Sequence, residues 1–249
     1  MHIPWYMLLM ALGLGFSAWV WSGRFKHRPE MVIVYAAGLL GALIGAKLGY
    51  IVAELPYYRH DPAFWQYALV GRTIIGALLG GYIGVEVGKK LAGYTEPTGD
   101  VFALAVPVGI ALGRIGCLLH GCCQGIICRE PWWWTATGPD GLPRWPAPMI
   151  EFTFNILAAL ILLVLYRKRC FRGQLFHLYL IAYALFRIAH EPMRDTPRLP
   201  AGVSTYQVLV AVLLLFACWR FRVRQQASSN RTLPAGLESG IMNADARDS

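Results

Sequence analysis

Apolar residues along this chain fall into seven runs, at 3–21, 31–53, 71–88, 101–120, 147–166, 174–191 and 205–219, and the gaps between them hold most of the charge. A helix of about 17–25 apolar residues is long enough to cross the hydrocarbon of a bilayer, and the last run is the shortest of the set. Lipid offers no partner for a bare peptide group, and a helix pairs its own N–H and C=O groups internally. The pattern predicts an all-α polytopic membrane protein, a bundle of seven transmembrane helices with an interfacial outer loop. From Gln225 onward the chain is polar and aperiodic, which predicts a disordered cytoplasmic tail over 225–249 behind a membrane domain at 1–224.

Charge sharpens the picture. Only 15% of residues are charged and 56% are hydrophobic, with a mean hydropathy of +0.45, whereas soluble domains carry about 25% charged residues. The net charge of +9 would suit nucleic acid if it were clustered on one face, but it sits at the ends of the apolar runs. Counted up to Arg224, twelve lysines and arginines follow the first, third, fifth and seventh runs; five follow the second, fourth and sixth. Cytoplasmic loops carry the excess of Lys and Arg, so the N-terminus is expected outside and the C-terminus in the cytoplasm. The first run lacks a basic leader and a small-residue cleavage site, and is expected to remain as an anchor.

This orientation gives each polar residue a depth. Tyr6, Lys47, Tyr50, Glu54, Arg72, Arg114, Glu151, Arg187, Glu191 and Arg194 all fall in the outer half of their runs or just beyond. Arg114 and Arg187 are the most informative. A guanidinium in a spanning helix costs about 2.5–3.5 kcal/mol on insertion scales and is tolerated where it faces a polar site. It stays protonated, and its planar fork grips phosphate with two parallel hydrogen bonds. Two such groups near one face point to a site for a phosphate-bearing lipid. Plainer readings exist for the others. Lys47 can snorkel outward, Arg72 can anchor at the interface, Glu191 can neutralise Arg187 one turn away, and Glu86 can pair with Lys89 or Lys90 at the inner end.

Two further patterns concern packing. Gly41, Gly45 and Gly49 recur at four-residue spacing in the second run, as do Gly76, Gly80, Gly84 and Gly88 in the third. Such stripes let helix backbones approach closely in lipid. Trp132, Trp133, Trp134 and Trp145 crowd the loop after the fourth run; tryptophan prefers the headgroup level, so this loop is expected along the outer interface.

The segment GRIGCLLHGCCQG at 113–125 resembles the signature of bacterial prolipoprotein diacylglyceryl transferases, Gly-Arg-x-Gly-Asn-Phe-x-Asn-x-Glu-x-x-Gly, with Gly113, Arg114, Gly116 and Gly125 in register. IPWY at 3–6, GAKLGY at 45–50, WPAPMIE ending in Glu151, and YALFRIAHEPMR at 183–194 support it in the same order along the chain. The resemblance implies a seven-helix enzyme of the bacterial inner membrane that takes diacylglyceryl from phosphatidylglycerol, transfers it to the lipobox cysteine of a preprolipoprotein and releases glycerol phosphate, with no cofactor. It implies that Arg114 and Arg187 hold the phosphate, that Glu151 and Glu191 orient them or help remove the thiol proton, and that Tyr6, Lys47, Arg72 and Arg194 contribute to substrate binding.

The chain also departs from that pattern. Gly76 is matched to the histidine of the family's third helix, and Cys117 and Cys122 stand for the signature Asn and Glu; His120 is then the nearest replacement base. Cys117, His120, Cys122, Cys123 and Cys128 lie close in sequence at the outer end. Their spacing fits no standard zinc pattern, and outside the cytoplasm a disulfide or thiol role is the first expectation. A membrane thiol-redox or metal-binding protein is therefore the rival reading. A retinal protein is excluded because the last run has no lysine, and neither paired halves nor broken helices suggest a transporter.

Overall fold

A computed structural model describes residues 5–232 apart from 201; the side chains of Tyr6 and of 227–232 lie outside the described set. The order is α1 (Trp5–His27), α2 (Met31–Tyr58), α3 (Phe64–Val70), α4 (Ile74–Leu91), α5 (Gly99–His120), a two-stranded hairpin β1 (Ala136–Thr137) and β2 (Pro143–Arg144), α6 (Ala147–Arg167), α7 (Leu175–His190), a 3-10 turn at Glu191–Met193, and α8 (Thr205–Thr232). Each apolar run has become a helix. Four of them, α2, α5, α6 and α8, are long and apolar enough to cross a membrane; α3 and α4, bent by 60° across a short break, make a fifth when taken as one span. The protein is thus all-α and polytopic.

Helix α3 is absent from the sequence expectation. Seven residues are too few to show a period, and the break at Gly71–Thr73 disguises it as a loop. The break has local causes. The Tyr50 ring lies on Gly71 where a Cβ would stand. The Thr73 hydroxyl accepts from the Gly76 N–H at 3.1 Å, which caps α4.

Helices α2 and α4 meet backbone to backbone along the glycine stripes. A Cβ on Gly45 would run into the carbonyl of Gly76 and the Cα of Gly80, and one on Gly41 into the carbonyl of Gly80. Helix α7 forms the centre of the bundle. Tyr179, Leu180, Tyr183 and Ala184 are fully buried there, packed with Leu162 of α6 and Val210 and Leu213 of α8. Helix α8 runs through Gln225 to Thr232, so the boundary expected at 224/225 falls inside a helix; the rest of the expected tail, 233–249, lies outside the described residues. No proline or glycine interrupts the chain before Pro234, and a polar segment without a breaker extends the helix it follows.

Candidate functional site

The C-terminal end of α5, the first turns of α6, the C-terminal end of α7 and the turn after it converge at one end of the bundle. Glu151, fully buried on α6, is the hub. Its Oε2 lies 2.6 Å from Nη2 of Arg114, 3.6 Å from Nη1 of Arg187 and 3.7 Å from Nη1 of Arg194. Its Oε1 accepts from the Tyr183 hydroxyl at 2.7 Å. One turn further along α6, Asn155 donates to the Glu151 carbonyl at 2.7 Å and accepts from Tyr179 at 2.7 Å, locking the turn that presents the carboxylate.

Glu191 is a second anchor. Its Oε2 takes Nη2 of Arg187 at 2.6 Å, so the one-turn pairing expected from sequence is present. Thr196 and Ser204 donate to its Oε1 at 3.2 and 3.3 Å. Three guanidiniums therefore face two carboxylates, and one positive charge is left over. The carboxylates do not saturate the donors either. Nε of Arg114, both Nε and Nη1 of Arg187 and of Arg194, and Oε2 of Glu151 are buried without a hydrogen-bond partner; Oε2 and three of these nitrogens (Nη1 of Arg187, Nε and Nη1 of Arg194) meet the opposite charge only in ion pairs. Buried donors normally find acceptors. Loosely held guanidinium donors beside an uncompensated charge are an arrangement that can accept an anion, and the planar forks suit oxyanions such as phosphate.

Loop 121–146 is stitched over this cluster. Gly125 donates to the Trp145 carbonyl at 2.8 Å, Trp145 to Ile126 at 2.9 Å, and Ile126 to Met193 at 3.1 Å. A Cβ on Gly125 would strike the Met193 carbonyl, so glycine is what lets the loop reach the backbone beside Arg194. Arg144 fastens the hairpin, at 2.6 Å from Asp140 and 2.9 Å from Asp195. The Trp145 indole donates to Nε2 of His190 at 3.0 Å. In the neutral ring that leaves the proton on Nδ1, which is buried and unpartnered, as one more donor beside the arginines. Trp133 at the loop's tip is 93% exposed.

Among the sequence candidates, Arg114, Arg187, Arg194, Glu151 and Glu191 are brought together. Lys47 is not in the cluster. Its ammonium donates to the carbonyls of Ala68 and Leu69, where it caps the C-terminal end of α3. Arg72 is exposed beside the α4 cap, and Tyr6 lies outside the described side chains. Glu54 accepts from Tyr206 of α8 at 2.5 Å. His120 is exposed, apart from the group formed by Cys117, Cys122 and Cys123, whose sulfurs lie within 4.8 Å of one another. All six cysteines are free thiols. Gly76 abuts the Gly45 backbone and leaves no room there for a side chain. The residue directly before the paired Gly80 and Gly81 is in fact Leu79, packed on the core, so neither position offers a base. Tyr183, Asn155, His190 and Ser204 belong to the site and were not singled out from sequence. Tyr179, Tyr183, Arg187 and Glu191 follow one another at four-residue spacing, and that polar stripe on one helix face is the signal that points to two of the network's tyrosines.

Fold and site together define a multi-pass membrane protein with a buried cluster of three arginines and two glutamates at one end of its bundle. Comparison with known proteins narrows the class. The family model for prolipoprotein diacylglyceryl transferase matches residues 1–223. Among curated relatives, the phosphatidylglycerol–prolipoprotein diacylglyceryl transferase of Dehalococcoides mccartyi is 29% identical, covering 92% of this chain and 93% of its own. That of Legionella pneumophila is 30% identical over 88% and 91%, and that of Thermotoga maritima 28% over 89% and 81%. The chain belongs to the prolipoprotein diacylglyceryl transferase family and is a diacylglyceryl transferase of that family, which sets aside the thiol-redox reading as its main activity.

Proposed function

We propose that this protein moves the diacylglyceryl group of phosphatidylglycerol onto the lipobox cysteine of a preprolipoprotein, at the outer face of the bacterial cytoplasmic membrane. All seven apolar runs cross the bilayer in this reading, with α1 and α7 spanning beside the five segments named above. The N-terminus is outside, and the polar end beyond residue 224 is cytoplasmic. The basic clusters then face the cytoplasm and the arginine cluster faces out. The Trp132–Trp134 loop rests at the headgroup level above it.

The observation that carries the reading is the buried set of three guanidiniums facing only two carboxylates, which leaves a surplus positive charge and donors without hydrogen-bond partners. In the reaction a thiolate sulfur bonds to the glycerol carbon while the carbon–oxygen bond to phosphate breaks, and the electron pair leaves on the phosphate. The diester carries one negative charge and the departing monoester gains a second, balancing the proton given up by the thiol. Donors already aimed at that oxygen stabilise the charge as it grows, which lowers the barrier. Glu151 has its oxygens engaged by Tyr183 and three arginines, so its role here is to orient the receptor. Glu191 does the same for Arg187 and Arg194.

The test is direct: purified protein in detergent with phosphatidylglycerol and a lipobox peptide should yield a thioether-linked diacylglyceryl peptide and free glycerol phosphate, read by mass spectrometry. An unmodified peptide in the presence of folded protein and both substrates would overturn the reading. Reporter fusions at the N-terminus and after Arg224 test the orientation, and a cytoplasmic N-terminus would place the site on the wrong face.

A further inference from the structure

We infer that Cys117, Cys122 and Cys123 form a three-thiolate site for a soft monovalent cation, copper(I), at the end of α5. The local fold builds it. Helix α5 closes with Gly121 at a left-handed φ of 68°. The N–H of Cys122 bonds to the carbonyl of Cys117 at 3.1 Å and that of Gly121 to Leu118 at 3.2 Å. This is the six-to-one and five-to-two pairing of a Schellman cap, in which the residue after the glycine packs on the one five positions earlier. Both of those residues are cysteines here. Cys123 then takes a positive φ of 63°, which side chains other than glycine seldom adopt. Its sulfur comes to 3.7 Å from that of Cys122.

The spacing matches metal chemistry. Metal–thiolate bonds of about 2.3 Å set sulfurs roughly 3.8–4.0 Å apart in tetrahedral or trigonal sites. The three sulfurs already lie within 4.8 Å of one another, so small side-chain rotations close the set. No fourth His, Asp or Glu joins the group among the described residues, and three thiolates alone suit copper(I) better than zinc, which takes four ligands in structural sites. Nη1 of Arg114 donates to the Cys117 sulfur at 3.8 Å, which favours the thiolate form at that ligand. Cys117 is buried and Cys123 exposed, so the ion enters from the aqueous side. The site is a property of this chain's own thiols and does not depend on the transferase reading.

The experiment uses the full-length, reduced protein in detergent under anaerobic conditions, titrated with copper(I) against a competing chelator. One copper per chain is expected, with only sulfur in its X-ray absorption first shell. Outer-shell changes alone cost about 10–100-fold in metal affinity, so Cys117→Ser, Cys122→Ser and Cys123→Ser should each weaken binding at least that much. Cys170→Ser should not change it. A readout on the unaltered protein guards against misfolded variants: copper should protect Cys122 and Cys123 from iodoacetamide while Cys170 still reacts. No retained copper, copper held by nitrogen or oxygen, retention by the triple Ser variant, or labelling of Cys122 and Cys123 despite copper would each overturn the proposal.

Discussion

The two ends of the bundle both gather arginines around a glutamate, and they do so in opposite ways. At the end away from the site Glu86, with a side chain 34% exposed, meets Lys89 at 3.4 Å and Arg220 and Arg224 at 3.8 Å. Arg220 also donates to the Tyr82 hydroxyl at 2.8 Å, which in turn contacts His177 at 3.1 Å. Arg220 and Arg224 are partly open to water, Lys89 is buried, and all three are loosely paired, as befits anchors near a membrane surface. At the other end Glu151 has no exposure, the nearest guanidinium is at 2.6 Å, and further guanidinium donors stay unbonded. A charge cluster that water can finish solvating needs no ligand. One that is buried and keeps a surplus positive charge has a place for one.

That contrast can be broken most severely at the hub. Glu151→Gln leaves three buried guanidiniums around a neutral amide, and removing one partner of a buried pair costs about 3–5 kcal/mol. A thermal melt in detergent should show a large fall in Tm, together with loss of transfer. Next in size, Arg114→Lys and Arg187→Lys keep the charge but lose the planar fork; turnover should fall about 100-fold or more, since one preorganised donor is worth roughly 10²–10³ in rate. Near-normal turnover in Arg114→Lys would count heavily against phosphate gripping. Gly45→Val tests the scaffold instead. It forces α2 and α4 apart and should destabilise by about 1–3 kcal/mol, the usual scale of overpacking, as read by detergent denaturation. Tyr183→Phe removes one hydrogen bond to Glu151, worth about 1–3 kcal/mol when the acceptor is charged, and should lower kcat more than it raises KM. Smallest of all, Glu86→Gln at the open end should change Tm by only what about 0–1 kcal/mol produces and leave transfer intact.

The helices could be read from sequence because lipid imposes length and composition on them, and each of the seven runs did become one. Boundaries were less legible where chemistry is local. α3 is too short to show a period, and α8 continues until Pro234 is near. Within the site, the charged residues announced themselves by being out of place in apolar runs. The tyrosines and Asn155 did not, because hydroxyl and amide groups are unremarkable in a spanning helix until their partners are known. The partners of Lys47 were hidden for a related reason: its position on α2 is visible in the sequence, but the carbonyl pair it caps belongs to a helix that is not. For the cysteines, spacing argued against a metal. The Schellman cap makes Cys117 and Cys122 neighbours, which no count of intervening residues reveals.

The Arg114–Glu151 contact also bears on how the chain is made. Helix α5 enters the membrane ahead of α6, carrying Arg114 near its trailing end, and an unpaired guanidinium there costs about 2.5–3.5 kcal/mol. The carboxylate that answers it sits at the leading end of the very next helix, only a loop away, and the two helices pack along their lengths. The α5–α6 hairpin is therefore the smallest piece of the nascent chain that can leave the translocon with that arginine matched, and α7 docks afterwards against a carboxylate already in place.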